Sequence, residues 1–464
     1  MISLPELYAL SPVFFQNLMV TGYGWKIYRR EYGKKFTRLL PEIEARQWYS
    51  EAELIEYQNE KLRPLIKHCY ENVPYYRSVM ESRKLRPADI RTVDDLLKLP
   101  VLERETVRDK LAQLKAANFK PAELISGFTS GTTGSPLQLY WDNQICRVKT
   151  ATDWLQKKIA GINPGEKMAF FLGRQVVSLN QKKPPFWRHN WLLNHLFCSS
   201  WHLAKENLEA YFKKLRAFKA VAIEGYPSTM YILARYLLGT SQTFPLKAVF
   251  TSSEPLFNDH RETIQQAFAC RVFDYYGMAE RVVFGFECEA HDAKHLSMDF
   301  GITEILSQDD EPAGYARLGR LVATSLHNYG MPLIRYQSSD ITELRASGCR
   351  CGRKSPMIEN ITTKDEDIIT TSDGRLLASS ALNALTKPIM GIAEHQIIQE
   401  DRTHIVVQMI RGQDYSEKTE GLLLESLRKI LGPGMSVELR LVDEIPRTTA
   451  GKFKWVVSRV PLEF

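Results

Sequence analysis

Four short stretches of this chain carry the residue types that phosphate and carboxylate chemistry needs. In Phe128-Thr129-Ser130-Gly131-Thr132-Thr133-Gly134-Ser135-Pro136, two glycines let the backbone turn tightly against a ligand and a run of hydroxyls supplies donors. Such a loop can cradle phosphate oxygens, although no Gly-Lys-Ser/Thr closes it as in a Walker loop. Asp274-Tyr275-Tyr276-Gly277-Met278-Ala279-Glu280 offers aromatic rings that can flank a flat base and a carboxylate suited to a hard cation such as Mg²⁺. Met331-Pro332-Leu333-Ile334-Arg335-Tyr336-Gln337-Ser338-Ser339-Asp340 ends on an aspartate that can accept from both hydroxyls of a ribose. Ile445-Pro446-Arg447-Thr448-Thr449-Ala450-Gly451-Lys452 places an ammonium on a glycine-bearing loop, where it can meet negative charge as it develops. Taken singly, each also reads as an ordinary connection, turn, capping aspartate or C-terminal lysine.

A fifth group suggests a metal. Cys288 and His295 follow the second stretch, and Cys349 and Cys351 follow the third. Three thiolates and an imidazole make a closed tetrahedral set for a structural Zn²⁺. His291 competes with His295, and the spacing is looser than in a zinc finger. The remaining cysteines, Cys69, Cys146, Cys198 and Cys270, are scattered singly, which suits buried thiols in a reducing, cytoplasmic setting.

The elements that must hold these stretches show in the hydrophobic pattern. Residues 1 to about 115 are rich in helix formers, with a helix over Glu51 to Val73 that stops at Pro74. Then strand and helix signals alternate. The apolar runs Ala220–Ile223, Ala248–Phe250 and Arg271–Phe273 end at Glu224-Gly225-Tyr226-Pro227, at Thr251-Ser252-Ser253-Glu254-Pro255 and at Asp274-Tyr275-Tyr276-Gly277. Helices over Ser228–Leu238 and Asn258–Phe268 lie between them. This predicts parallel βαβ units, with ligands outside the carboxyl ends of the strands, where each polar turn falls. Beyond, strands over Glu394–Gln399, His404–Met409 and Val437–Val442 and an amphipathic helix over Ser416–Leu431 form a small α+β unit. Aromatic residues Phe186, Trp187, Trp191, Tyr226 and Tyr275 are candidates for an apolar acyl pocket or for core.

The 464 residues carry a formal net charge of +7, with 44% hydrophobic and 25% charged residues. That is a soluble composition with a mild basic bias, compatible with small polyanions and far from a dedicated nucleic-acid binder. Apolar runs are broken by charge before the ~18–20 residues a membrane span needs. The N-terminus lacks the layout of a signal peptide. Its aromatic residues, followed by Lys26, Arg29 and Arg30, suit a packed helix or one that touches a membrane surface.

The four stretches, in this order, resemble the adenylate-forming superfamily of acyl-CoA synthetases, luciferases and nonribosomal adenylation domains. Val73-Pro74-Tyr75-Tyr76-Arg77, the turn from Thr251 to Leu256, and Cys349-Arg350-Cys351-Gly352-Arg353 are most similar to the phenylacetate–CoA ligase branch, and within it to ligase-like proteins associated with capsular polysaccharide biosynthesis. The resemblance implies an α/β fold: a large N-terminal domain with mainly parallel sheets and helices, and a small mobile C-terminal α+β lid. Residues 1–115 would be the helical part of the large domain, 116–365 its nucleotide- and acyl-binding core, and 366–464 the lid.

The resemblance also implies roles. Thr129, Ser130, Gly131, Thr132, Thr133 and Gly134 would hold phosphate, with Thr132 close to the chemistry. Tyr276 would border adenine, with Ser253 and Glu254 opposite and Asp274, Tyr275 and Gly277 beside it. Glu280 would hold Mg²⁺, Asp340 the ribose, and Lys452 would be the catalytic lysine of adenylation. The lid would turn about a hinge near Asp365-Glu366, preceded by Lys364, so that one site runs two half-reactions. The expected activity is ATP-dependent activation of a carboxylic acid to acyl-AMP and transfer to coenzyme A, in a homodimer if the family pattern holds. Transfer to a non-CoA acceptor in glycan biosynthesis is the alternative, and a non-catalytic nucleotide-binding scaffold is a third reading. Three stretches depart from the family: Ser135 and Leu137 stand where the phosphate loop carries a lysine, Ser339 replaces a glycine before Asp340, and Thr363-Lys364 replaces Gly-Arg before the hinge, losing a bidentate fork.

Overall fold

A computed structural model describes residues 4–129, 137–172, 176–178, 181–203, 205–359, 361–363, 368–372, 376–378, 389, 391–412, 415–446 and 454–460. The chain divides into two units. One comprises Met1–Glu304, Val322–Gln337 and Arg345–Ile358; the other comprises Ile305–Leu321, Ser338–Leu344 and Glu359–Phe464.

The first unit begins with helices α1 (Leu4–Leu10), α2 (Val13–Glu31), α3 (Gly33–Arg46), α4 (Glu51–Asn72) and α5 (Pro74–Ser82), followed by the short α6 (Arg104–Asp109) and α7 (Leu111–Leu114). Ser50 caps α4 through a reciprocal capping box with Glu53. Pro74 ends that helix and at once starts the next as its first residue, since a proline needs no amide partner there. Strands β1 (Ile125–Phe128) and β2 (Gln138–Trp141) form an antiparallel hairpin. Helix α8 (Asn143–Ile159) follows, capped by Asp142, whose Oδ1 accepts from the amides of Gln144 and Ile145.

The remaining strands of this unit are β3 (Met168–Phe171), β4 (Trp187–Asn190), β5 (His195–Cys198), β6 (Ala222–Gly225), β7 (Ala248–Ser252), β8 (Arg271–Gly277), β9 (Phe284–Glu287) and β10 (Lys294–Leu296). Helices α9 (Lys205–Phe218), α10 (Pro227–Gly239) and α11 (Asn258–Phe268) connect the middle ones. Strands β11 (Gly301–Leu306), β12 (Leu318–Ser325) and β13 (Tyr336–Glu343) each run across a division between the units, and β14 (Met357–Ile358) returns to the first. Strands β3 to β10 and β14 give a nine-stranded sheet in the order β14-β10-β9-β8-β7-β6-β3-β5-β4, while β11, β12 and β13 belong to another sheet. Strands β5, β3, β6, β7 and β8 are mutually parallel, as the alternating pattern requires. Their faces are covered by an apolar core that includes Phe186, Tyr211, Phe212, Leu233, Val249 and Phe268.

The edge strand β4 is closed by α2. Asn17 Oδ1 accepts from the His189 amide at 2.9 Å, Thr21 Oγ1 accepts from the Trp191 amide at 3.2 Å, and Gln16 takes the Arg188 guanidinium. Gly24 lies so close that a Cβ there would fall 2.0 Å from the side-chain nitrogen Nδ2 of Asn190.

In the second unit, β13 pairs with β15 (Thr362–Thr363), placing Asp340 opposite Thr363. A two-stranded sheet of β16 (Ile368–Thr370) and β17 (Leu376–Ala378) precedes a four-stranded one, whose order is β20-β19-β18-β21. It is built from β18 (Ile392–Gln399), β19 (His404–Arg411), β20 (Ser436–Leu441) and β21 (Val456–Ser458). Helix α12 (Glu417–Leu431) buries Leu423, Leu427 and Leu431 and stops at Gly432, whose φ of 90° suits glycine.

Two sequence expectations need correction. The strand expected to end at Phe273 runs on to Gly277, because Tyr275, Tyr276 and Gly277 pair antiparallel with Phe286, Gly285 and Phe284. The residues read as a turn are therefore strand. Phe186 is fully buried, stacked between His202 and Tyr211, so it belongs to the core and not to an acyl pocket.

A charged network braces the parallel strands from below. Lys157 of α8, itself buried, lies 2.7 Å from Asp153 and 2.9 Å from Glu224 of β6, and Glu224 Oε1 accepts from the Tyr275 hydroxyl at 2.8 Å. Lys157→Met should leave two carboxylates without a counter-charge and destabilise the fold by about 3–5 kcal/mol, read as a fall in the urea midpoint.

Candidate active site

The carboxyl ends of the parallel strands are aligned by their register. Phe171 pairs with Gly225, Gly225 with Thr251, and Thr251 with Asp274, so four strand ends form one transverse row. One position further on, Ser252 pairs with Tyr275 and Tyr275 with Phe286. This is the rim where open parallel sheets take ligands. A Cβ on Gly225 would sit 3.0 Å from the Phe171 carbonyl oxygen, which accounts for glycine at that close approach.

Not every carboxylate of the rim is available. Asp274 is buried; Thr251 Oγ1 donates to one of its oxygens at 2.6 Å and Lys294 Nζ lies 2.9 Å from the other. Burial pushes its carboxyl upward, against the pull of Lys294. Tyr275 turns its hydroxyl down to Glu224 and stacks on Phe284 with ring centres 5.5 Å apart. Both residues thus shape the rim from beneath. Tyr276 alternates to the opposite face of β8 and is buried. Ser253, just past β7, takes a left-handed backbone (φ 69°) and leads into Glu254.

Beyond β8 the chain turns through residues 278–283 before β9, and Glu280 sits at this tip. Its Oε1 accepts from the buried Tyr336 hydroxyl at 2.8 Å. Arg104, at the start of α6, lies 3.7 Å from the same oxygen and also donates to Thr129 Oγ1 at 3.0 Å. Thr129 closes the neck of the β1–β2 hairpin. Its amide donates to the Leu137 carbonyl at 3.0 Å, and its hydroxyl accepts from the Leu137 amide at 2.9 Å. Thr129 and Leu137 therefore fix the neck of the hairpin, and Arg104 ties that neck to Glu280. Arg104 and Tyr336 carried no role in the sequence reading. Tyr336 lies inside the third stretch; Arg104, in a short helical segment after Pro100, has no local signal.

Ser130, Gly131, Thr132, Thr133, Gly134, Lys364 and Lys452 lie outside the described residues. In the second unit, Asp340 occupies the middle of β13, its amide donating to Ser338 Oγ at 3.1 Å. The strand that follows Lys452 is anchored: Gln396 donates to the Lys454 carbonyl at 2.6 Å, and Trp455 donates to His395 at 3.2 Å.

The thiols and one histidine do come together. One donor atom each from Cys288, His295, Cys349 and Cys351 lie within 4.8 Å of one another. Cys288 Sγ is 3.6 Å from Cys349 Sγ, and His295 Nε2 is 3.4 Å from Cys351 Sγ. The other ring nitrogen of His295 meets Ser355 Oγ at 3.1 Å, as the outer partner of a ligating imidazole does. His291 instead pairs with Glu287 at 3.1 Å and packs on Phe273, which leaves His295 as the fourth member.

Known proteins agree with this architecture. Residues 369–459 match the family described as the CapK C-terminal domain. Over 459 residues the chain is 26% identical to protein CapK of Staphylococcus aureus, covering 98% of this chain and 99% of that one. It is 24% identical over 452 residues to phenylacetate-coenzyme A ligase of Aromatoleum evansii, covering 91% and 98%. Among solved structures, 2-hydroxyisobutyryl-CoA ligase in the postadenylation state, in complex with 2-HIB-AMP, shares the fold with a TM-score of 0.72 at 20% identity, over 89% of this chain and 91% of that one. In fold, and in sequence over nearly its full length, the chain is similar to the phenylacetate-coenzyme A ligases and to CapK.

Proposed function

We propose that this protein is an AMP-forming acid–CoA ligase. In the first half-reaction a carboxylate oxygen attacks the α-phosphorus of ATP and pyrophosphate leaves. In the second, the thiol of coenzyme A attacks the acyl carbon and AMP leaves. The observation that carries this reading is the connection Thr129–Arg104–Glu280, which joins the neck of a hydroxyl-rich loop to a carboxylate at the rim of a parallel sheet. A guanidinium so placed can donate to phosphate oxygens as they arrive.

In this reading residues 129–134 hold the phosphates, Tyr276 borders the adenine with Ser253 and Glu254 opposite, and Asp340 takes the ribose. Glu280 offers the hard oxygen donors that Mg²⁺ takes, and Tyr336 fixes their direction. Lys452 brings positive charge to the carboxyl–phosphorus junction, and residues 366–464 act as the lid that carries it. Transfer to a non-CoA acceptor in glycan biosynthesis is the second reading, favoured by the CapK-type C-terminal domain.

Three thiols and a neutral imidazole fit Zn²⁺ by donor type and number. The zinc would join the segment after β9 and strand β10 to the loop before β14, away from the reacting atoms.

Acid-dependent pyrophosphate exchange across a panel of carboxylic acids tests the first half-reaction, and thioester detection by mass spectrometry after adding CoA tests the second. A protein that binds nucleotide but supports exchange with no acid would be a scaffold. Lys452→Ala should lower exchange by about 10²-fold or more, as loss of a charge-stabilising group does, while thioester formation from supplied acyl-AMP falls far less. Arg104→Ala should raise the KM for ATP roughly tenfold through one lost charge-assisted contact, in steady-state assays. Metal analysis should find one zinc per chain. Cys349→Ser/Cys351→Ser should lose it and unfold at a lower temperature, while KM values of the residual folded enzyme stay near those of the parent.

A further inference from the structure

The N-terminal helices present their largest apolar side chains outward. On α2, Phe14, Leu18, Trp25 and Arg29 share one face, flanked by Phe15 and Lys26. Phe14 is 60% exposed, Phe15 54%, Leu18 43% and Trp25 54%. The inward face carries the polar or small Gln16, Asn17 and Gly24, which make the contacts to β4, with only the half-buried Val13, Val20 and Ile27 between them. Helix α1 behaves alike: Tyr8 turns in, its hydroxyl donating to the Val176 carbonyl at 2.8 Å, while Leu7 and Leu10 face out, Leu10 at 77%. The turn after β4 extends the patch with exposed Trp191 and Leu192, and Trp191 meets Phe14 with ring centres 5.8 Å apart. Apolar residues singly exposed are ordinary; a contiguous strip of them on a helix whose inward contacts are made mainly by polar and small residues marks a docking surface.

We propose that this strip docks on an anionic lipid bilayer. The charge pattern selects that occupant. Between Leu7 and Arg30 there is no acidic residue, and Lys26, Arg29 and Arg30 are basic. Lys26 and Arg29 are exposed on the apolar face itself, with the Arg29 guanidinium over the Trp25 ring at 4.8 Å. Aromatic residues, leucines and cations on one face are what an interfacial helix needs. A second copy of the chain would bring the same cations against each other, which disfavours self-pairing through this face. Among the described residues no helix is long and apolar enough to cross a membrane, so the contact is one of surface adsorption.

The full chain should sediment with vesicles made of equal parts phosphatidylglycerol and phosphatidylcholine. It should not sediment with phosphatidylcholine alone, and added salt should release it. Lys26→Glu/Arg29→Glu should weaken partition roughly fivefold per residue changed, and Phe14→Ser/Leu18→Ser/Trp25→Ser should abolish it, with pyrophosphate exchange or the circular dichroism melt unchanged. In the unaltered protein, brominated lipid should quench part of the tryptophan fluorescence. The proposal is overturned if anionic vesicles neither pellet the protein nor quench it, or if neutral vesicles bind it equally. Vesicle-free self-association removed by the triple substitution would overturn it too, assigning the strip to a second copy.

Discussion

One buried ammonium governs the rim on which the chemistry is placed. Lys157 is a cation in a setting that would ordinarily expel its charge, yet Asp153 and Glu224 overcome the cost of burial and hold its pKa above the normal lysine range. With that charge in place, β6 can carry a glutamate one residue before its end, and β8 can anchor the Tyr275 hydroxyl to it. A parallel sheet covered on both faces has little room for polar atoms, so each one admitted needs its partner fixed. The charges beneath the strand ends answer one another, so the ends are held to each other by paired side chains as well as by main-chain bonds.

The two carboxylate environments differ in a way that separates framework from chemistry. Asp274 spends both oxygens on Thr251 and Lys294. Glu280 stands on a turn tip, steered by a phenol on one oxygen, with a guanidinium at longer range. A hydrogen bond from Tyr336 aims a carboxylate without neutralising it, which suits the Mg²⁺ role proposed for Glu280. The pull of Glu280 on the buried phenol, added to burial, keeps Tyr336 protonated, so the donor role is stable at any ordinary pH.

Much of this was legible in the residues. Helices over Asn258–Phe268 and Glu417–Leu431 and the parallel run of β6, β7 and β8 follow from spacing of apolar residues and from their stops. The thiol cluster was also readable, because only a few side chains ligate a metal such as Zn²⁺ and they come as two close pairs, Cys288 with His295 and Cys349 with Cys351. Pairing was not. That β8 continues through Tyr276 depends on β9 folding back beside it, a contact periodicity does not encode. The connection from Arg104 to Thr129 and Glu280 joins residues 25 and 176 positions apart, so nothing local could announce it. The choice of His295 over His291 likewise depends on pairing: β10 sets His295 opposite Phe286, with the rings stacked and Nε2 3.4 Å from Cys351 Sγ.

The nine-stranded sheet ends differently on its two sides. At one margin β4 has amides answered by Asn17 and Thr21 of a helix; at the other, β14 is only two residues long. Neither margin is a long open ladder onto which an extended segment could add. Among the described residues, a partner meeting this sheet at either margin would therefore find side chains and surface shape to recognise, with little free main chain to pair with.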